Sequence, residues 1–407
     1  MKLRVPIISV CLLLFWGCGP KSRFAERSPS ETGIDFANII DESQENNIIV
    51  NEYIYNGSGI GVADFDRNGL VDLFFAGNNV DNRLYLNQGD FAFTDVTEVA
   101  AVAGKQRWSS GVSVVDINRD GWPDVHVCAT NRDQSPYRDN QLYIHQGLNA
   151  DSIPVFKDLA AQYGLADSSH STHAAFFDYD NDGDLDVFII VDEVEEVGAQ
   201  NHFRPKRLDG SAPTTDRLYR NDWSDSLGHP VFTNVSQAAS ILVEGYSLGV
   251  NIVDINRDGW KDIFISNDYV TNDVLYLNQK DGTFKDVASQ LWKHTCHSAM
   301  GNDVIDLNHD GLADIVALDM MPESNFRKKT MLTSTNYTAY INNDRFGYDY
   351  QYVRNVLQLN QGNDPETGLP LFSEVGMLAN IGQTDWSWTP SITDFDNDGL
   401  RDILITN

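Results

Sequence analysis

Apolar residues along this chain come in short stretches, each bounded by turn signals rather than continued at helical spacing. Gly61-Val62-Ala63 and Leu73-Phe74-Phe75 flank one polar loop, and Asn251-Ile252-Val253 and Ile263-Phe264-Ile265 flank another. Stretches of this kind, rich in β-branched and aromatic side chains, predict strands. The intervening loop is one nonapeptide used six times, Asp-x-Asp/Asn-x-Asp/Asn-Gly-x-x-Asp, starting at Asp64, Asp116, Asp178, Asp254, Asp306 and Asp394. Downstream come a Leu-Tyr-x-Asn-like strand (Leu84-Tyr85-Leu86-Asn87, Leu275-Tyr276-Leu277-Asn278) and a Phe-x-x-Val strand (Phe93-Thr94-Asp95-Val96, Phe284-Lys285-Asp286-Val287). Strand, loop, strand, turn, strand, turn, strand over about 50 residues is the signature of a β-propeller blade. The predicted fold is all-β, a propeller of four-stranded antiparallel blades with metal-binding hairpin loops.

The loop chemistry follows from its spacing. Oxygen side chains at positions 1, 3, 5 and 9 suit a hard cation such as Ca²⁺, which takes about six to eight oxygens at about 2.3–2.6 Å, with a backbone carbonyl at position 7 adding another. Gly at position 6 allows the sharp turn with positive φ. The candidate ligands are Asp64, Asp66, Asn68 and Asp72; Asp116, Asn118, Asp120 and Asp124; Asp178, Asp180, Asp182 and Asp186. In the second half they are Asp254, Asn256, Asp258 and Asp262; Asp306, Asn308, Asp310 and Asp314; Asp394, Asp396, Asp398 and Asp402. A helix–loop–helix calcium site would need an acidic residue at position 12. Here that position holds Phe75, Val127, Ile189, Ile265, Ala317 and Ile405. The loop is a strand-to-strand bend, and up to six structural Ca²⁺ ions are expected.

Successive loops start 52, 62, 76, 52 and 88 residues apart. The excess over the shortest spacing belongs in surface insertions, at 191–215 and 321–350, since connections tolerate length at little cost. If both project from one face, they form the partner-contacting surface. Five repeats read as complete and the sixth as truncated. The expected ring is therefore incomplete in this chain, finished by a continuation of a longer product or by residues 36–55, which offer one or two closing strands. Positions five and three before each loop (Gly59/Gly61, Gly111/Ser113, His173/Ala175, Gly249/Asn251, Gly301/Asp303, Thr389/Ser391) are small or polar and predict an innermost strand lining a narrow channel.

The first residues read as an address. Lys2 and Arg4 precede the mostly apolar stretch Val5 to Trp16 and then Gly17-Cys18, too short to span a bilayer and laid out as a secretory signal. Residues 1–17 are the expected signal peptide. Cys18 is the candidate acylated N-terminus of a lipoprotein, or an incidental cysteine after an ordinary signal. Residues 18–35 are polar enough for a flexible tether, and 36–407 form the propeller. Of the other cysteines, Cys11 leaves with the signal, while Cys128 and Cys296 fall in different repeats and predict two buried thiols.

With these motifs in place the chain resembles the FG-GAP/VCBS-repeat lipoproteins of Bacteroidetes-type bacteria, whose longer members carry an ASPIC/UnbV domain after the propeller. The resemblance covers about residues 33–407. Besides the loops it rests on Gly33-Ile34-Asp35-Phe36, Tyr55-Asn56-Gly57, Ser298-Ala299-Met300-Gly301, Leu318-Asp319-Met320-Met321 and Thr384-Asp385-Trp386-Ser387-Trp388. Integrin α-chain propellers share the loop. The resemblance implies a calcium-loaded, extracytoplasmic propeller, here an outer-membrane lipoprotein, and no settled activity. An acidic stretch after the cysteine would favour the outer surface in that group. Gly19-Pro20-Lys21-Ser22-Arg23 is basic, so the periplasmic and surface faces both stay open.

A formal charge of −30 argues against nucleic acid as partner, since phosphate binding needs Lys and Arg. Six divalent ions would offset twelve of those charges and couple folding to metal binding. No His-Glu-x-x-His, Gly-x-Ser-x-Gly or phosphate-binding glycine motif is present. His170 and His173, or His294, Cys296 and His297, make either a transition-metal site or ordinary channel and surface histidines. Trp108, Trp386 and Trp388 either stack on sugar rings or wedge between blades. Three functional readings result. The first is a non-catalytic binding or adhesion module for protein or glycan at the cell envelope, anchored to the membrane by lipid. The second is a propeller-scaffold polysaccharide lyase or hydrolase. The third is a scaffold for a further C-terminal domain.

Overall fold

The computed structural model describes residues 24–130, 137–194, 199–331 and 337–407; the predicted signal peptide and Cys18 lie outside them. Five four-stranded antiparallel sheets follow one another along the chain, each with its main strands in sequential order. The first comprises Ile60–Ala63, Asp72–Phe75, Arg83–Asn87 and Phe93–Asp95. The second is built from Ser109–Val115, Asp124–Ala129, Gln141–Leu148 and Pro154–Asp158, and the third from Ser171–Phe177, Asp186–Val191, Arg217–Ser224 and His229–Asn234. The fourth has Ser247–Val253, Asp262–Asn267, Val274–Asn278 and Phe284–Asp286, and the fifth Asn302–Ile305, Asp314–Ala317, Val356–Asn363 and Pro370–Glu374. Pro390–Thr393 pairs with Asp402–Ile405 as a sixth, two-stranded sheet. Each acidic nonapeptide bends the first strand of a sheet into its second, as the strand signals predicted.

The core lies between successive sheets. Phe65, Phe74 and Leu84 of the first sheet share one apolar cluster with Val125, Val127 and Tyr143 of the second. Ile117, Cys128 and Leu142 then pack on Val187, Ile189 and Tyr219 of the third. A sheet covered on both faces reads as a continuous apolar run rather than an alternation. Accordingly every residue of the second strands Asp124–Ala129, Asp186–Val191 and Asp262–Asn267 is buried. Cys128 and Cys296 are free and buried.

The small residues before each loop have a steric cause. A Cβ on Gly111 would lie 2.5 Å from His173 Nδ1 and from the Thr172 carbonyl, and one on Gly59 would lie 2.5 Å from Val112 N. Neighbouring first strands approach backbone to backbone, and only glycine leaves the room.

Three expectations change. Residues 36–55 contain no strand; they run in turns, with Phe36 stacked on Phe75 and Tyr53 against Tyr269 of the fourth sheet. Residues 24–35, assigned to the tether by composition, include the short helix Pro29–Thr32 and touch two sheets. Phe24 packs edge-on to Phe395, and Tyr85 donates to Asp35. The two insertions, expected as surface loops, are joined: Phe203 of the first packs on Phe346 and Tyr348 of the second, which carries the helices Asn325–Thr330 and Tyr337–Phe346.

Candidate metal centres and the inner-strand cavity

All six loops fold alike. At position 1, Asp64 accepts from the amides of Asn68 and Gly69 through its two oxygens, and Asp116, Asp178, Asp254, Asp306 and Asp394 repeat the pattern. The position 9 aspartate closes the loop by accepting from the position 2 amide: Phe65 N to Asp72, Ile117 N to Asp124, Tyr179 N to Asp186, Ile255 N to Asp262, Leu307 N to Asp314, Phe395 N to Asp402. In five sheets its other oxygen accepts from the third strand, at the amides of Asn87, His145, Asn221, Asn278 and Asn360. The Leu-Tyr-x-Asn signature is thus tied to the acidic loop of its own sheet.

These bonds bring carboxylates together. Oxygens of Asp64, Asp66 and Asp72 lie within 4.8 Å of one another, as do those of Asp178, Asp180 and Asp186, and of Asp394, Asp396 and Asp402. In the other three loops position 3 is Asn118, Asn256 or Asn308, whose amide donates to the carboxylate of Asp120, Asp258 or Asp310. Asp72, Asp124, Asp186 and Asp262 are fully buried. Burial outweighs the amide bonds they accept, pushing Asp72 up to about 6 and Asp124, Asp186 and Asp262 to about 7. Asp180 Oδ1 is buried with no hydrogen-bond partner. Crowded oxygens, buried position 9 carboxyls with no ion pair among the described residues and an unsatisfied acceptor suit a hard divalent ion. The position 5 residues Asn68, Asp182 and Asp398 are exposed, at the open side of their loops.

Sequence reasoning saw the glycine at position 6 but missed position 4. Arg67, Arg119, Asn181, Arg257, His309 and Asn397 all take a left-handed conformation, with φ between 57° and 63°. Asparagine tolerates that region, which gave a hint at Asn181 and Asn397 only.

The far ends of the same first strands meet at a cavity of about 430 Å³. Gly59, Gly111, His173, Gly249, Gly301 and Thr389, the residues five before each loop, all line it. Trp108, Trp388, Tyr53, Thr130 and Asp192 also line it, and among the described residues no loop carboxylate does. Asp192 is buried and accepts from Thr130 Oγ1, and burial pushes it up to about 8. Trp108 is buried, Trp388 partly so, and Trp386 lies outside, half exposed beside Met320. The histidines do not assemble. His294 Nε2 meets Arg354, His297 Nδ1 meets Ser298, and Cys296 Sγ donates to the Arg354 carbonyl.

Comparison with known proteins bears on the repeat. The model of the FG-GAP-like repeat matches residues 64–127 and 254–317, each running from the start of one nonapeptide, through the remaining strands of its sheet and the next nonapeptide, into the strand after it. Cartilage acidic protein 1 of Xenopus tropicalis is 26% identical over 219 residues, 54% of this chain and 30% of that protein. The human protein of the same name is 25% identical over 212 residues, 52% of this chain and 28% of that protein. The chain thus spans under a third of the length of these relatives. Among solved structures, an Agrocybe aegerita lectin described for specific recognition of non-reducing terminal N-acetylglucosamine gives a TM-score of 0.33 at 15% identity, over 89% of this chain and 88% of that one. The matched segments share the loop-and-strand unit that organises the sheets, so the chain carries FG-GAP-like repeats at residues 64–127 and 254–317.

Proposed function

We propose that this protein is a calcium-stabilised, non-catalytic binding module of the cell envelope, tethered by a lipid on Cys18 and presenting its inner-strand cavity and joined insertions to a protein or glycan. One observation carries the reading. The acidic loops sit at one end of the first strands and the cavity at the other, with no loop carboxylate among the described residues that line it. Metal held in strand-to-strand bends away from the cavity stabilises a scaffold; metal at a cleft would have favoured a lyase. A bound divalent ion would supply neutralisation of the crowded carboxylates. The residues that hold it would be the loop aspartates and asparagines, with Asp72, Asp124, Asp186, Asp262 and Asp314 also pinning the third strand through their amide bonds.

At the cavity, Trp388 offers a partly exposed aromatic face and Asp192 a buried carboxyl, the mixture of apolar wall and few polar groups that small-ligand sites use. A glycan array probed with the purified chain in calcium tests the binding role. Retained glycan that Trp388→Ala abolishes supports a site at the cavity, and turnover of a polysaccharide without stable retention would contradict a non-catalytic module. For the anchor, Cys18→Ser is expected to move the protein from the membrane to the soluble fraction, and continued membrane association would refute it.

A further inference from the structure

The six loops are not independent turns. We propose that the position 4 residue of one loop orients the metal ligands of the following loop, so that loops one, two and three bind calcium as coupled sites. The idea rests on the calcium reading above and concerns Arg67 and Arg119.

The geometry repeats. Arg67, in the first loop, donates from Nη2 to the carbonyl of Gly121 at position 6 of the second, and its guanidinium sits 3.6 Å from the centre of the Trp122 ring. Arg119, in the second loop, donates from Nη2 to the Gly183 carbonyl of the third at 2.6 Å. Asn181, with a shorter side chain, only just reaches the Gly259 carbonyl of the fourth at 3.5 Å. Arg257 and His309 make no such bond among the described residues. All five of these residues share the left-handed backbone of position 4, so the bond depends on the side chain that the position carries.

The peptide held this way is the one that positions ligands. The Gly121–Trp122 peptide offers its carbonyl to Arg67, while Trp122 N donates to Asp120 and Gly121 N to Asp116, both at 2.8 Å. In the third loop, Asp184 N donates to Asp182 at 3.0 Å and Gly183 N to Asp178 at 2.9 Å. The guanidinium therefore holds the peptide whose own N–H bonds the position 5 carboxylate of its neighbour, and through the same glycine it steadies the adjoining amide that bonds the position 1 carboxylate. Groups bonded to ligands, rather than to metal, commonly tune affinity in this way. Repulsion between guanidinium and cation opposes the effect. The recipient loops hold three and four candidate carboxylates, however, so each stays anionic after taking one divalent ion.

Calorimetric titration of calcium chloride into the chelator-stripped chain decides the matter, with circular dichroism confirming that each variant folds. Arg67→Ala and Arg119→Ala are expected to bind as many ions as the wild type, with a subset about two- to tenfold weaker, the worth of one hydrogen bond. Arg119→Lys, which keeps a donor, should recover part of the loss, and Arg257→Ala, in the same position without the bond, should leave the isotherm unchanged. Combined with Asp120→Asn, Arg67→Ala should cost little more, because both act on the second loop. Superimposable isotherms, tighter binding in the arginine variants, or equal weakening by Arg257→Ala would overturn the coupling. A wild-type chain that takes up no calcium would instead remove the calcium reading itself.

Discussion

Asp178 and Asp184 belong to one loop and differ in what surrounds their oxygens. Asp178 caps the amides of Asp182 and Gly183, whereas Asp184 Oδ1 is buried with no partner and burial pushes the group up to about 6. Asp178→Ala should therefore cost about 1–3 kcal/mol even in chelator, and Asp184→Ala should be neutral or slightly stabilising there; equal melting shifts would contradict the register. The buried position 9 aspartates set a pH dependence. Their folded pKa values, about 6 for Asp72 and about 7 for Asp124, Asp186 and Asp262, lie above the unfolded value. Raised carboxyls add stability that is fully present below the unfolded pKa of about 4 and lost as pH climbs through 6 to 7. Without metal, the melting temperature should fall from pH 5 to pH 8; with calcium it should rise over that range, because the cation needs ionised ligands. At this scale the ligand positions were legible as spacing. The position 4 conformation was not, because Arg67, Arg119, Arg257 and His309 are poor left-handed formers whose backbone is set by the loop itself and not by their side chains.

The strands around each loop were legible because burial on both faces leaves short, dense apolar runs such as Ile263-Phe264-Ile265. The asparagine ending the third strand was visible as a motif, but its partners were not. Asn360 Nδ2 donates to the Ile255 carbonyl of the preceding loop, and Asn278 Nδ2 reaches the Tyr179 carbonyl in the same way. Asn360 is fully buried, so Asn360→Ala should cost about 1–3 kcal/mol by leaving that carbonyl unpaired. A thermal melt unchanged from wild type would show the link to be idle. Residues 36–55 misled for a physical reason. Ile39 and Ile49 look like strand residues but stay exposed, since Asn46, Asn47 and Ser43 draw the backbone into local side-chain turns. The helix Tyr337–Phe346 was missed because only Asn343 among its residues is buried, leaving no apolar stripe to read.

Over the whole molecule, long-range contacts join what the repeat alone would leave separate. Tyr269 donates to Glu52 and Tyr53 donates to Asp268, so the segment before the first sheet reaches the fourth beside the cavity. Arg204 pairs with the buried Glu244 at 2.6 Å, fastening the first insertion to the segment that leads into the fourth sheet. None of this was readable from spacing, because it depends on how sheets are set around one another. The acidic loops were readable, and the charge they concentrate makes metal the central question. Elemental analysis of the natively purified chain, paired with its melting temperature before and after chelation, tests this most directly. The account predicts up to six calcium ions per chain and a sharp fall in melting temperature on their removal; native protein devoid of divalent ions, melting at the same temperature with and without chelator, would contradict it.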